Sequence, residues 1–150
     1  MKPSALLDES RVILGVPSSA TKREVIEALV GKALDGSPAR EAILEELLRR
    51  EKVMSTGIGN GVAVPHAHTK LIEKPVAALA VSPGGIEWDA VDGEPVHIVL
   101  AFVTPDANPS LHVQTLGETS TLLANETVRA ETVRAKTAGE ILEVFRRNGG

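Results

Sequence analysis

Four histidines, His66, His68, His97 and His112, are the side chains of this sequence that titrate near neutral pH without strong perturbation. His66 follows Pro65 at the end of a short apolar segment, directly after a glycine-rich stretch. Loops at the ends of strands carry reactive and binding residues more often than other segments do. We therefore expect His66 to be the reactive side chain.

A histidine that accepts a phosphoryl group needs a neutral ring nitrogen, a partner that orients the ring, and donors for the phosphate oxygens. Arginine suits the last role because its forked guanidinium matches phosphate geometry. Arg50 is the candidate cation and Arg49 its competitor, since both precede the glycine-rich stretch. Glycines let backbone N–H groups approach a ligand, which makes Gly59, Asn60 and Gly61 candidate phosphate-binding residues; the alternative is a plain turn.

Two other readings of the histidines stay open. The spacing of His66 and His68 could place two imidazoles on one face of a strand, and His97 or His112 could then complete a zinc site. No carboxylate that would orient such ligands is evident nearby, so we predict no metal. His97 begins a buried strand and is more often structural in that position.

The segments that must hold these residues form a strand-rich middle between helices. Apolar runs of strand length occur at residues 12–14, 75–81 and 96–103, and turn residues flank Trp88 between the last two runs. Helices are predicted after the capping box of Thr21 and Glu24, after Ser37 and Pro38, after Pro109, over residues 126–135, and after the second capping box of Thr137 and Glu140. This order predicts an α/β fold in which one domain, residues 1–150, forms a sandwich of a small mixed β-sheet flanked by helices on both sides.

Composition limits the possible partners. The net charge is −4 with scattered basic residues, which argues against nucleic-acid binding. The chain has no cysteine, and its apolar content of 43% includes no run of signal-peptide or membrane-span length. We expect a cytoplasmic protein without direct membrane insertion.

Residues 50–52, Arg-Glu-Lys, and residues 55–67, Ser-Thr-Gly-Ile-Gly-Asn-Gly-Val-Ala-Val-Pro-His-Ala, resemble a known active-site segment. It is that of the enzyme IIA proteins of the fructose-mannitol class, type 2, of the bacterial phosphotransferase system. The run Ser-Thr-Gly-Ile-Gly-Asn-Gly ahead of the Pro-His pair is typical of the nitrogen-regulatory branch. The order of predicted helices and strands agrees with that of this family from about Leu6 to Phe145.

The resemblance implies that His66 is phosphorylated through Nε2, that Arg50 lies near the phosphate, and that His112, near a helix start, is the second histidine of the site. It implies a phosphotransferase of the phosphoenolpyruvate-dependent system, with no cofactor. The implied donor is the phosphohistidine of HPr or of its nitrogen-branch paralogue. A regulatory module acting on protein targets is the main expectation, and a sugar-transport component passing the group to a separate enzyme IIB is the alternative. His68 departs from the family pattern, and so does the polar helix containing Gly117 and residues 119–121.

Overall fold

The computed structural model describes all residues, 1–150, as six α-helices around a six-stranded mixed sheet. The helices are α1 (Pro3–Leu6), α2 (Lys22–Ala33), α3 (Arg40–Val53), α4 (Pro109–Ala124), α5 (Glu126–Arg134) and α6 (Ala138–Arg147), with a 3₁₀ turn at Glu9–Arg11. The strands are β1 (Val12–Ile13), β2 (Gly57–Gly59), β3 (Val62–Ala63), β4 (His66–Thr69), β5 (Val76–Ile86) and β6 (Val96–Pro105).

The centre of the sheet is the antiparallel pair of β5 and β6, which are the two long apolar runs of the sequence. β1 lies parallel to β5 on one side. On the other side β3 and then β4 both pair with β6 in parallel, one after the other along its length, and β2 continues the sheet beyond β3. β6 is therefore the strand that positions the segment leading to His66.

Side chains of β6 alternate between two hydrophobic cores because successive residues of a strand point to opposite faces. Val99, Ala101 and Val103 pack with α2 and α3 on one face. Ile98, Leu100 and Phe102 pack with α1, α4, α5 and α6 on the other face. The predicted sheet with helices on both sides is thus confirmed.

Most predicted helix starts are confirmed by their capping hydrogen bonds. Thr21 Oγ1 accepts from Glu24 N at 3.1 Å and Glu24 Oε1 accepts from Thr21 N at 3.0 Å, which is a complete capping box. Thr137 makes only its own half of the box, because the Glu140 carboxylate accepts from the backbone N–H of Lys136 instead.

Two predicted boundaries are wrong. α3 begins at Arg40 rather than directly after Ser37, because residues 37–39 form a turn in which Ser37 Oγ accepts from Ala39 N. β5 does not end at residue 81 but continues to Ile86 through an irregularity in its pairing with β6. Trp88, which follows, is fully buried in the core on the α2 and α3 side.

No helix of the structure combines the length and the apolarity required to cross a bilayer.

Candidate active site

His66 is the first residue of β4 and lies beside Phe102 of β6 in the parallel ladder. Its ring stacks on the Phe102 ring, with 5.5 Å between centroids and 15° between planes. His66 Nδ1 lies 2.7 Å from the carbonyl oxygen of Val64, which has no proton to donate. Nδ1 therefore carries the proton and donates it, and Nε2 of the neutral ring holds a free electron pair.

Several groups act on the charge of His66, and together they lower its pKa from the ordinary value of 6.5. Burial is the largest cause, the hydrogen bond to the Val64 carbonyl opposes it, the charge of Arg50 lowers the pKa further, and the charge of Glu51 raises it. The neutral ring is favoured at physiological pH, which is the state that a nucleophile requires.

His112 lies in the first turns of α4, with its ring centroid 5.4 Å from that of His66. Its Nδ1 is hydrogen-bonded at 2.7 Å to Oγ1 of Thr104, a residue of β6 with no solvent exposure. Burial lowers the pKa of His112, and the charges of His66, His68 and Arg50 lower it further. The structure therefore brings the two predicted histidines into one site, with the ring of His112 held through Nδ1.

The two candidate arginines differ in what they contact. Arg49 forms an ion pair with Glu46 on the same helix, which raises the pKa of Arg49. Arg50 is exposed in the last turn of α3 and forms no ion pair, and its charge acts on both His66 and His112. Arg50 is therefore the uncommitted cation beside the histidines.

Glu51 belongs to the site as well, although the predicted site residues do not include it. Its side chain is buried and accepts hydrogen bonds from the backbone N–H of Thr56, at 3.2 and 3.0 Å, and from the Thr56 hydroxyl. Lys22 Nζ, at the start of α2, lies 3.0 Å from its second oxygen. These contacts tie the end of α3, next to Arg50, to the segment that leads to His66.

A signal for Glu51 exists in the sequence. The buried stripe of α3 contains Ile43 and Leu47, and the same four-residue spacing continues to Glu51. A carboxylate at a core position requires hydrogen-bond partners and a counter-charge, so it marks a structural or functional network. Lys22, the counter-charge, also lies over the ring of Trp88, with Nζ 5.6 Å from the centroid.

The structure does not bring Gly59, Asn60 and Gly61 to His66. The strand after this turn pairs with Ile98, whereas His66 pairs with Phe102, and four residues of β6 span about 13 Å. Asn60 adopts a positive φ of 58°, and its backbone N–H donates to Asp92 Oδ2 at 3.1 Å. These three residues form the turn between β2 and β3.

The remaining histidines lie far apart: His68 is in β4, beside Thr104 near the end of β6, and His97 is near the start of β6. His68 Nδ1 pairs with Asp106, and its ring meets that of His112 edge-on, with 5.5 Å between centroids. His97 Nδ1 donates to the carbonyl oxygen of Ser82 at 3.0 Å. The His97 ring lies next to Gly61. No group of three or more histidine, aspartate or glutamate side chains is arranged to hold a metal ion.

The fold and the paired histidines describe a small α/β domain with a histidine-centred site, and comparison with known proteins supplies its family. A family profile described as "Phosphoenolpyruvate-dependent sugar phosphotransferase system, EIIA 2" matches residues 5–148. The chain belongs to this family and is a phosphocarrier component of the phosphotransferase system. The family predicted from the sequence is thereby confirmed.

Relatives in the family include both transport and regulatory proteins. The fructose-specific EIIA component of Haloferax volcanii is 36% identical over 84% of this chain and 83% of its own length. A nitrogen regulatory protein of Pseudomonas aeruginosa is 32% identical over 93% of this chain and 91% of its own length. The fructose-specific EIIABC component of Bacillus subtilis is 32% identical over 97% of this chain, which spans only 23% of that longer protein.

Solved structures share the fold. The nitrogen regulatory protein IIA-Ntr from Neisseria meningitidis superposes with a TM-score of 0.86 at 23% identity, covering 95% of this chain and 97% of its own. Enzyme IIAMtl of Escherichia coli, solved in complex with phosphorylated enzyme IIBMtl, superposes with a TM-score of 0.74 at 20% identity, covering 94% and 97%. The α/β architecture is thus that of known enzyme IIA proteins.

Proposed function

We propose that this protein, acting as a single enzyme IIA domain of residues 1–150, accepts a phosphoryl group on Nε2 of His66. The observation that carries the proposal is the hydrogen bond from His66 Nδ1 to the Val64 carbonyl, which leaves Nε2 as the nucleophilic nitrogen. The lowered pKa of His66 keeps that nitrogen unprotonated. The ring centroid of His112 lies 5.4 Å from that of His66, and the charge of Arg50 acts on both rings.

The transfer step conserves atoms and charge without a metal or a base. The electron pair of His66 Nε2 attacks the phosphorus of a phosphohistidine on the donor, and the donor's N–P bond breaks with its electron pair returning to the donor ring. The proton on His66 Nδ1 stays in place and continues to donate to Val64. The carbonyl oxygen then stabilises the positive charge of the phosphorylated ring, while Arg50 and His112 supply donors to the phosphate oxygens.

The donor in this proposal is the phosphohistidine of HPr or of its nitrogen-branch paralogue, which is charged from phosphoenolpyruvate in the cytoplasm. A protein donor suits the shape of the site. Arg50 is exposed, and His66 and His112 are half-buried. A site that is open rather than enclosed favours a partner that brings the phosphoryl group on its own surface.

The phosphorylation state of His66 then serves mainly as a regulatory signal read by protein targets. The identity to the Pseudomonas aeruginosa nitrogen regulatory protein and the superposition on IIA-Ntr support this use. The alternative is sugar transport through a separate enzyme IIB, and the identity to the Haloferax volcanii fructose-specific EIIA supports it.

Reconstitution tests the proposal. The protein is incubated with phosphoenolpyruvate, enzyme I and an HPr-type carrier, and its intact mass is measured. Wild type and a His97→Gln control gain one phosphate, whereas His66→Gln gains none. A wild type that stays unmodified with its cognate carrier, or a His66→Gln variant that still gains phosphate, contradicts the proposal.

A second measurement separates the two uses. Phosphorylated protein is mixed with separate enzyme IIB proteins, and transfer of the phosphate is followed by intact mass. Retention of phosphate with every IIB, together with capture of different targets by the phosphorylated and unphosphorylated forms, supports regulation. Rapid transfer to one IIB supports transport.

A further inference from the structure

Three imidazoles of the site are held in the same way. Each ring is engaged by the protein through Nδ1, and no protein atom hydrogen-bonds to any of the three Nε2 atoms. The pairs are His66 with the Val64 carbonyl, His112 with the Thr104 hydroxyl, and His68 with the Asp106 carboxylate. His68 thus shares the arrangement of the two histidines that the proposed function already uses.

The position of His68 follows from the strand. It lies two residues after His66 in β4, so both side chains project from the same face, while Ala67 between them packs in the opposite core. Its ring meets His112 edge-on at 5.5 Å, and its charge is one of those that lower the pKa of His112. His112 therefore stands next to both His66 and His68.

We propose that His68 is a third phosphate-binding residue, which donates a hydrogen bond from Nε2 to an oxygen of the phosphoryl group on His66. The inference rests on the proposed function of His66. Asp106 is the positioning residue: its carboxylate is hydrogen-bonded to His68 Nδ1, and it would balance the positive charge of the ring when Nε2 also donates a proton to the phosphate. A charge-assisted hydrogen bond of this kind is stronger than one between neutral groups.

The charges around the site favour this role. Asp106 and Glu51 are the carboxylates near the histidines, and Glu51 is already paired with Lys22. The Asp106 carboxylate would repel a phosphoryl group if its charge were left uncompensated. His68 compensates the Asp106 charge and also adds a donor to the phosphate. Loss of His68 alone therefore removes a donor and exposes the repulsion, whereas loss of both His68 and Asp106 removes only the donor, so it destabilises the phosphorylated form less.

The test measures the equilibrium constant for phosphoryl transfer between the HPr-type carrier and this protein, from the intact masses of both at equilibrium. This constant compares the free phosphorylated and unphosphorylated proteins, so a contact that His68 makes only with the docked carrier leaves it unchanged. The side chain of His68 is 68% exposed, and its substitution is expected to preserve the fold, which thermal unfolding verifies.

His68→Ala is expected to shift the equilibrium toward the carrier roughly tenfold, the loss of one hydrogen bond to a charged group. His68→Arg, which keeps a cationic donor, retains most of the wild-type constant. The double variant His68→Ala with Asp106→Asn recovers part of the loss because the unpaired carboxylate is gone. His97→Gln, a histidine outside the cluster, leaves the constant unchanged.

An unchanged constant in His68→Ala overturns the inference while leaving the proposed function intact, because wild type still gains its phosphate. A change confined to the carrier concentration required for half-maximal rate also overturns it and assigns His68 to carrier docking. If wild type itself gains no phosphate on His66, both the inference and the proposed function fail.

Discussion

His66 and Val64 form a hydrogen bond of 2.7 Å across a single proline, from ring Nδ1 to backbone carbonyl oxygen. The bond is local in sequence, yet it decides which ring nitrogen can react. It does so because a carbonyl accepts a proton but never donates one.

Phosphoryl acceptance should persist to a pH below that at which an ordinary histidine becomes protonated. Burial and the charge of Arg50 lower the pKa of His66 below 6.5, so the neutral ring remains the main form on mild acidification. Removal of the Arg50 charge in Arg50→Met should move the pKa of His66 upward. NMR titration of the His66 ring measures both shifts. A wild-type ring that titrates above 6.5 would contradict the prediction.

Arg50 and Arg49 should differ sharply despite being neighbours. Arg50→Met removes the uncommitted cation and is expected to slow phosphorylation by roughly a hundredfold, the loss typical of one donor to a developing oxyanion. Arg49→Met breaks only a surface ion pair with Glu46 and should leave the rate close to that of wild type. Rapid-quench measurements with the phosphorylated carrier compare the phosphorylation rates of the two variants with that of wild type. Equal losses would show that the helix end acts through its net charge alone.

Glu51→Gln should weaken both the fold and the site. The variant loses the charge that meets Lys22 and the strong acceptor for Thr56, and we expect the free energy of unfolding to fall by about 1–3 kcal/mol. Phosphorylation should slow as well, because the segment leading to His66 is no longer fixed to the end of α3. Chemical denaturation and the phosphorylation rate are the measurements.

A matched control for Glu51 is Glu45→Gln, on the exposed side of the same helix. It should change neither quantity. A double-mutant cycle with Lys22→Met measures the coupling between Lys22 and Glu51, and an interaction energy near zero would refute the assigned pairing.

Thr104→Val keeps the shape of a buried side chain but removes the hydroxyl that holds His112 Nδ1. We expect His112 to lose its fixed orientation and the phosphorylation rate to fall, while the thermal stability changes little because valine fills the same space. NMR of the imidazole nitrogens should show a mixture of His112 tautomers in place of one. A single unchanged tautomer in the variant would argue that Thr104 has no orienting role.

The sequence predicts helices and strands correctly where residues close together in the chain determine them. The runs that became β5 and β6 and the capping box of Thr21 depend on neighbouring residues, and these predictions are confirmed. The start of α3 was placed early because Ser37 has the chemistry of a helix cap, yet its hydroxyl closes a turn before the helix begins.

The site was predictable only in part for the same reason. The resemblance pointed to His66, Arg50 and His112, and the structure brings the two histidines together. The distance of Gly61 from His66 depends on strand register, which a glycine-rich pattern does not reveal. The burial of Glu51 follows from the spacing of the α3 stripe, but its pairing with Lys22, 29 residues away in the chain, could not be predicted because only the fold joins them.

Trp88 gives the protein a built-in optical probe. It is the single tryptophan of the chain, and it is fully buried. The Lys22 ammonium lies over its ring and pairs with Glu51, the residue next to Arg50. Indole emission responds to nearby charge, so we expect fluorescence to report changes in the Lys22–Glu51 pair, with neither label nor added fluorophore. Glu51→Gln, which releases Lys22 from its carboxylate, calibrates how strongly that emission responds.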